Sequence, residues 1–141
     1  MPNAKEVDVA NAIAVYLNSQ SLSMTFTAKL DYLPDFERED LDSAEITIFP
    51  AGKQISFASR SDNQYLYNIN IVIRIPVKAA KEPDLADEMY FSEQVIESLD
   101  RIRMSNTSFR GAETSQSYDL ELLNERNEFL VAYSLTYFEI K

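Results

Sequence analysis

The chain has 141 residues, 45% of them hydrophobic, and a formal net charge of −10. This length suits one domain, residues 1–141, that buries about two-thirds of its unfolded surface. The sequence lacks histidine and cysteine, which excludes disulfides, thiolate nucleophiles, imidazole bases and zinc sites with the usual ligands. Its acidity opposes electrostatic binding to nucleic acid, and its two glycines are too few for a phosphate-cradling loop.

The N-terminal segment has the spacing of an amphipathic helix. Apolar side chains recur every three or four positions over residues 5–18, which predicts a helix with one buried stripe. The predicted stripe consists of Val7, Ala10, Ala14 and Leu17, with Ile13 beside them. The sequence shows neither a basic-then-apolar leader pattern nor a long apolar run, so we expect no targeting segment and no membrane span.

Extended segments follow the helix. Alternating apolar residues predict a strand over 25–33, which Pro34 ends, and a second strand over 45–49. The segment 49–52 places proline second and glycine fourth, as in a type I turn, and is predicted to end that strand. Residues 53–64 are polar and are predicted to form a long loop, either a mobile hairpin tip or a contact with a neighbouring subunit. Within it, weak alternation at Ile55 and Phe57 indicates a short strand or an ordered loop.

The longest strand pattern runs from Tyr65 to Val77. Its odd positions are apolar and its even positions are largely polar, which predicts a strand with one buried face. At about 3.3 Å per residue it spans roughly 43 Å, whereas a compact chain of this length is about 37 Å across. The strand must therefore bend or project, and a projecting hairpin is typical of a protein that assembles.

The C-terminal half begins with a second helical pattern over residues 84–104. Its predicted buried residues are Leu85, Met89, Ile96 and Leu99, widened by Val95 and Ile102. A polar loop at 105–117, a short strand at 118–122, a turn at 124–127 and a closing strand at 129–140 follow. Strands in hairpins with only two helices predict an α+β fold, with a mainly antiparallel sheet and two helices packed on one face.

Acidic residues are the most conspicuous candidates for a site. The segment 35–42 carries Asp35, Glu37, Glu39, Asp40 and Asp42. Oxygen ligands suit Mg²⁺ or Ca²⁺, but the glycine of a calcium loop is missing, so we interpret the segment as a solvated loop or a surface facing a partner or a lumen. Most acids of the second helix lie opposite its apolar stripe, as on a solvated face; they are Asp87, Glu88, Glu93, Glu97 and Asp100. We therefore expect no metal, no cofactor and no enzymatic activity.

Basic and aromatic residues of the polar loops are the candidate contacts between subunits. Lys53 and Arg60 lie in the first loop, and Phe109 and Arg110 lie in the second. On so acidic a subunit, assembled neighbours need positive groups opposite carboxylates to offset repulsion. Strand tyrosines could stack on bases, but the basic groove of such proteins is missing. We interpret these tyrosines as core or interface residues; they are Tyr65, Tyr67, Tyr133 and Tyr137.

The layout combines an N-terminal helix, a loop containing Arg60 and several local segments in a fixed order. These segments are Ile48-Phe49-Pro50-Ala51-Gly52, Tyr65-Leu66-Tyr67-Asn68-Ile69-Asn70-Ile71, a helix from Asp87 to Arg103 and a closing strand from Phe129 to Tyr137. Over residues 5–140 this order resembles the tail terminator, or tail completion, proteins of tailed bacteriophages.

The resemblance implies a structural virion protein, made in the host cytoplasm, that forms a hexameric ring on the last disc of the tail tube. Such a ring stops tube growth and forms the neck surface for head–tail joining. The implied partners are further copies of the chain, the tail tube protein and a head–tail connector or head-completion protein. DNA would pass through the ring without specific binding, because the negatively charged inner wall of the ring repels the negatively charged DNA. The alternatives are a head-completion or head–tail adaptor protein and a free acidic inhibitor that mimics DNA.

Overall fold

The computed structural model describes residues 4–32, 43–57, 59–76, 86–113 and 128–141. It contains, in chain order, α1 (Lys5–Asn18), β1 (Phe26–Leu30), β2 (Ala44–Phe57), β3 (Asn63–Pro76), α2 (Ala86–Leu99), β4 (Ser108–Glu113) and β5 (Glu128–Ile140). Two helices and one five-stranded sheet confirm the predicted α+β class. The predicted strand at 118–122, the turn at 124–127 and the acidic segment 35–42 lie outside the described residues.

The sheet is mainly antiparallel, as predicted. Its strand order is β1-β2-β3-β5-β4, and only β1 and β2 run parallel. β3 is central and pairs with β5 along its length, from Gln64 opposite Ile140 to Pro76 opposite Glu128. β1 is short and pairs only with Ala44–Ile48 of β2. The remainder of β2 therefore has a partner on one side only among the described strands.

Both helices pack on one face of this sheet. The alternating apolar residues of β3 line that face and are at most 2% exposed, which confirms the predicted register; they are Tyr67, Ile69, Ile71, Ile73 and Ile75. α1 buries five residues in the same core, namely Val9, Ala10, Ile13, Ala14 and Leu17. The predicted stripe of α1 is thus confirmed except at Val7, which is half-buried while Val9 is buried.

The predicted buried stripe of α2 is wrong in part. The helix buries Phe91, Ser92, Val95 and Leu99. Met89 is 39% exposed, Ile96 is only partly buried, and Leu85 lies outside the described residues. The ring of Phe91 packs 5.6 Å from that of Phe26 on β1, which sets the rotation of the helix. Because successive helical residues are about 100° apart, Met89 then points almost opposite to Phe91.

The segment after α2 is more regular than predicted. The helix ends at Leu99 rather than near 104, and Arg101 has a positive φ of 62°. Ser105 and Asn106, with φ of 49° and 65°, form a two-residue turn across which Met104 and Thr107 exchange backbone hydrogen bonds. Such a primed turn suits a hairpin. The predicted polar loop at 105–117 is therefore wrong over Ser108–Glu113, which is strand β4.

β2 continues through the predicted turn at 49–52. A β-bulge lies between Pro50 and Gly52, and Gly52 has a φ of 151°, which favours glycine. The carbonyl of Ile48 accepts a hydrogen bond from the Asp31 amide, so the backbone of Ile48 faces β1. The backbone of Pro50, two residues further along β2, faces the same side as that of Ile48. Because its nitrogen points away from β3, the missing N–H of proline removes no hydrogen bond between β2 and β3. The predicted type I turn is therefore wrong, and the predicted loop at 53–64 is shorter than expected, since only residues 58–62 separate the strands. Of the two alternatives given for Ile55 and Phe57, the strand is the one observed.

Candidate assembly surface

Burial along β2 changes sharply at the bulge. Residues 44–50 are buried or half-buried, whereas residues 51–57 are exposed except for the half-buried Gly52. Beyond the bulge, β2 still pairs with β3, from Gly52 opposite Asn68 to Phe57 opposite Asn63, and β3 stays paired with β5 on its other side. We call residues 52–68 the distal hairpin. Its outer strand, residues 52–57 of β2, is largely exposed.

The distal hairpin begins at a row of paired residues that crosses four strands. Gly52 pairs with Asn68, Asn68 with Thr136, and Thr136 with Gly111. These two glycines are the only ones in the chain, and each adjoins a β-bulge. The Thr136 hydroxyl donates to Oδ1 of Asn68 at 3.2 Å. Because bulges bend strands and increase twist, the sheet changes direction at this row.

The exposed apolar residues of the distal hairpin are concentrated near its tip. Phe57 is 91% exposed and Ile55 is 56% exposed. Ile55 pairs with Tyr65, and both residues face the side of the sheet that carries the helices. Single exposed apolar residues are ordinary, but Ile55 and Phe57 lie two residues apart on one strand and are therefore a candidate contact surface.

Contacts with Glu139 of β5 and with Lys141, which follows β5, hold the β3 strand of the distal hairpin in place from Tyr67 to Asn63. The Tyr67 hydroxyl donates to the Glu139 carboxylate, and Lys141 Nζ lies 3.3 Å from Oε1 of Glu139. The same ammonium lies 4.9 Å from the centre of the Tyr65 ring. Asn63 and Lys141 also exchange backbone hydrogen bonds of 2.9 and 3.0 Å. The distal hairpin is therefore an ordered extension of the sheet.

These contacts perturb two ionisable groups. Burial, with the hydrogen bond to Glu139, raises the pKa of Tyr67, so the phenol stays protonated and can donate. Burial alone would also raise the pKa of Glu139. Hydrogen bonds from Tyr67 and Lys141, together with the charges of Lys141 and Lys5, outweigh it and hold that pKa below its usual value.

We expect Glu139→Gln to lower the melting temperature more at pH 7 than at pH 3. Because the pKa of Glu139 is lower in the folded state than its ordinary 4.5, the carboxylate stabilises the fold above that value. The contribution is lost as pH falls through the folded-state pKa, where wild type and variant become alike. Thermal unfolding at both pH values measures the difference. Glu97→Gln, at an exposed position of α2, is the control, and an equal loss at both pH values would contradict the assignment.

Two of the predicted contact residues lie on the distal hairpin. Lys53 is exposed on β2, and Arg60 is exposed in the turn between the strands. Ser59 and Asp62 order this turn, because the Asp62 amide donates to the Ser59 hydroxyl at 3.2 Å and the Ser59 amide donates to the Asp62 carbonyl at 3.1 Å. Two cations and one carboxylate give residues 51–62 a charge of +1, on a chain of −10. The distal hairpin is locally basic.

The other two predicted contact residues lie on the opposite edge of the sheet. Phe109 packs edge-on against the ring of Tyr137 at 5.5 Å, so it belongs partly to the core. Arg110 is exposed in the β4 bulge and lines an open cleft with Glu97 of α2 and with Asp100, which follows the helix. Lys53 and Phe109 share one row, yet β3 and β5 lie between them. At about 4.8 Å per strand they are roughly 14 Å apart in one chain.

Most of the acidic residues that were predicted on the solvated face of the second helix are exposed in the structure. Three acids of α2 are exposed, namely Asp87, Glu93 and Glu97, and so is Asp100 directly after the helix, whereas Glu88 is half-buried. Glu45, next to the acidic segment in sequence, lies 2.7 Å from Lys29 Nζ. Within the described ranges, no group of three or more His, Cys, Asp or Glu is placed to hold a metal ion. The predicted lumen or partner surface at residues 35–42 lies outside the described residues.

The sequence analysis predicted residues 53–64 as a loop with a short strand or an ordered loop at Ile55 and Phe57, and it did not single out these two apolar residues as contacts. The alternation of Lys53, Ile55 and Phe57 resumes the two-residue period after the bulge has shifted it by one residue. The contact between Tyr67 and Glu139 had no local signal, because the two residues are 72 positions apart.

The comparisons with known proteins add no family. No protein-family model matches the sequence, and no curated protein matches it significantly. Among the described residues, no helix is long and apolar enough to cross a membrane.

Proposed function

We propose that this chain is a tail terminator of a tailed bacteriophage, a structural subunit that caps the tail tube as a hexameric ring. The observation that carries the proposal is the distal hairpin, an ordered ribbon with Phe57 91% exposed and Ile55 56% exposed. Ordered apolar residues at the end of a strand stabilise nothing in the subunit that carries them. They are suited to burial against another protein, as a ring subunit requires.

Charge distribution supports contacts between acidic copies. The distal hairpin carries Lys53 and Arg60, and Arg110 is exposed on the opposite edge, whereas exposed carboxylates line the outer face of α2. In a ring each subunit presents both edges to different neighbours, so basic groups of one copy can lie opposite carboxylates of the next. These three residues are the proposed contacts between subunits.

The proposed role needs no catalytic group. Tail tube subunits stack head-to-tail, an arrangement that does not close along its axis, so a different protein must end it. A ring that binds the exposed end of the tube without presenting a copy of that end stops growth. Its other face then receives the head–tail connector or head-completion protein. A net charge of −10 favours passage of DNA without adhesion.

Deletion of the gene should yield headless tails of irregular and excessive length, together with DNA-filled heads that carry no tail. The reason is that uncapped tubes keep adding subunits. Electron microscopy of the deletion lysate measures tail length, and expression of the wild-type chain from a plasmid is the control. Free tails of normal length would instead identify a head-completion or adaptor protein, and intact particles would identify a free inhibitor.

A further inference from the structure

The end of the distal hairpin, which we call the tip, consists of Phe57 and the turn 59–62. Phe57 is 91% exposed, and the turn carries the exposed Arg60. Hydrogen bonds between Ser59 and Asp62 order the turn, so the tip loses little conformational entropy when it binds another molecule. An ordered aromatic ring beside a cation is suited to a site with an apolar floor and an acidic wall.

The open cleft between the end of α2 and β4 has such a floor. Its volume is about 450 Å³, three times the roughly 150 Å³ of a cavity that holds benzene. Ile96 and Phe109 are half-buried at the margin of the core and form the floor. The other residues that line the cleft are Glu97, Asp100, Arg101, Arg110 and Gly111. The cleft therefore has room for an aromatic side chain among charged groups.

The wall of the cleft that α2 contributes is acidic. Residues 86–100 include five carboxylates and no cation. Glu97 lies in the last turn of α2, and that turn has no basic residue. Because the C-terminal end of a helix carries a partial negative charge, a carboxylate there is unfavourable and a cation beside it is favourable. Arg101 offsets little of this charge, since its Nε lies 3.9 Å from Asp100 and its side chain is 91% exposed. A cation from another molecule would therefore be stabilised at this end of α2.

The tip and the cleft of one chain are too far apart to touch. Phe57 is four residues beyond Lys53 on β2, which is about 13 Å along the strand, and three strand spacings of roughly 14 Å in total separate Lys53 from Phe109. Phe57 faces the side of the sheet that carries the helices, as Ile55 does, and the cleft beside α2 lies on that side too. The two surfaces occupy opposite edges of the sheet, as a head-to-tail contact between copies requires.

A second cleft, lined by residues of the segment 18–26, is less suited to the tip. Five of its eight lining residues are polar and uncharged, and none is charged. It therefore offers no counter-charge to Arg60.

We propose that the tip of one copy inserts into the cleft between α2 and β4 of the next copy, with Phe57 on the apolar floor and Arg60 beside Glu97. Asp62 then faces the β4 side of the cleft, where Arg110 offsets its charge. The contact joins two different surfaces, so its repetition about an axis generates a ring. This inference rests on the proposed ring and specifies which surfaces close it.

Mixing two variants tests the contact, because each variant lacks one of the two surfaces. Phe57→Ala loses the aromatic ring of the tip and keeps the cleft, whereas Glu97→Arg keeps the tip and has a cleft that repels Arg60. Each variant alone should self-associate about tenfold or more weakly than the wild-type chain. An equal mixture should form dimers and nothing larger, since one intact tip can enter one intact cleft. Sedimentation velocity of the purified proteins measures both results.

The controls are Val15→Ala and Glu93→Arg. Val15 is 71% exposed on α1, and Glu93 is exposed one turn before Glu97 and outside the cleft. Both variants should associate like the wild-type chain, and all four variants should keep the melting temperature of the monomer because each position is exposed. A wild-type chain that stays monomeric, or a mixture without dimers, would overturn the proposal. Neither result affects the tail-length test, which addresses capping itself.

A charge exchange tests the placement of Arg60 beside Glu97. Arg60→Glu alone should weaken self-association, because it brings two carboxylates together. The double variant Arg60→Glu with Glu97→Arg should recover most of the association, since opposite charges meet again across the contact. Arg60→Glu with Glu93→Arg is the matched double variant and should not recover it. Sedimentation velocity compares the two, and equal association of both double variants would contradict the placement.

Discussion

Replacing Phe91 with alanine should lower the free energy of unfolding by about 3–5 kcal/mol. Phe91 is fully buried in α2, and its ring packs 5.6 Å from that of Phe26. The substitution removes the side chain that joins α2 to the edge of the sheet formed by β1, and the rigid surroundings cannot close the cavity. Urea unfolding, monitored by far-ultraviolet circular dichroism, measures the change in free energy.

The control for Phe91→Ala is Tyr90→Ala on the same helix. Tyr90 is 56% exposed, so its truncation should cost no more than about 1 kcal/mol. The two variants together test the rotation of α2, because the ring of Phe91 is buried whereas that of the neighbouring Tyr90 is exposed. Equal destabilisation by the two variants would show that the helix packs through another face.

Ile71→Ala should lower the free energy of unfolding by about 2–5 kcal/mol, a large part of the total stability of a small domain. Ile71 is fully buried at the centre of β3, between Ile48 of β2 and Tyr133 of β5. No shift of a single side chain can fill the space, because α1 covers this part of the sheet. The change is measured by the same urea titration.

Asn70→Ala is the control for Ile71→Ala, because Asn70 is exposed on the opposite face of the same strand. Its effect should stay within about 0.5 kcal/mol. A melting temperature that Ile71→Ala leaves unchanged would contradict the register of the central strand.

The sequence predicted the elements whose pattern is local and long. α1 and β3 have repeated apolar periods over a dozen or more positions, and their predicted extents match the structure closely. The buried face of β3 was predicted residue by residue, since a one-residue error in a two-residue period would move every side chain to the other face. The fold class followed from the order of these elements.

The candidate contact residues stay predictions, and the structure gives only their positions. Lys53, Arg60 and Arg110 are exposed, as a contact residue must be, but Phe109 is partly buried against Tyr137. The sequence assigned them to two loops, whereas Lys53 and Phe109 end one row of paired strands. Pairing between strands depends on residues far apart in the chain, so no local pattern could reveal the row.

The sequence by itself determined that this chain is acidic, free of histidine and cysteine, and built on a central alternating strand. These properties depend on residue type and local period alone. Only the tertiary structure decided that β2 passes through Pro50, because a proline is tolerated in a strand when its missing N–H faces an open side. Tertiary packing also decided that Phe91 rather than Met89 enters the core, since contact with Phe26 sets the rotation of α2. A helix with apolar residues on more than one side has no buried face until the sheet provides one.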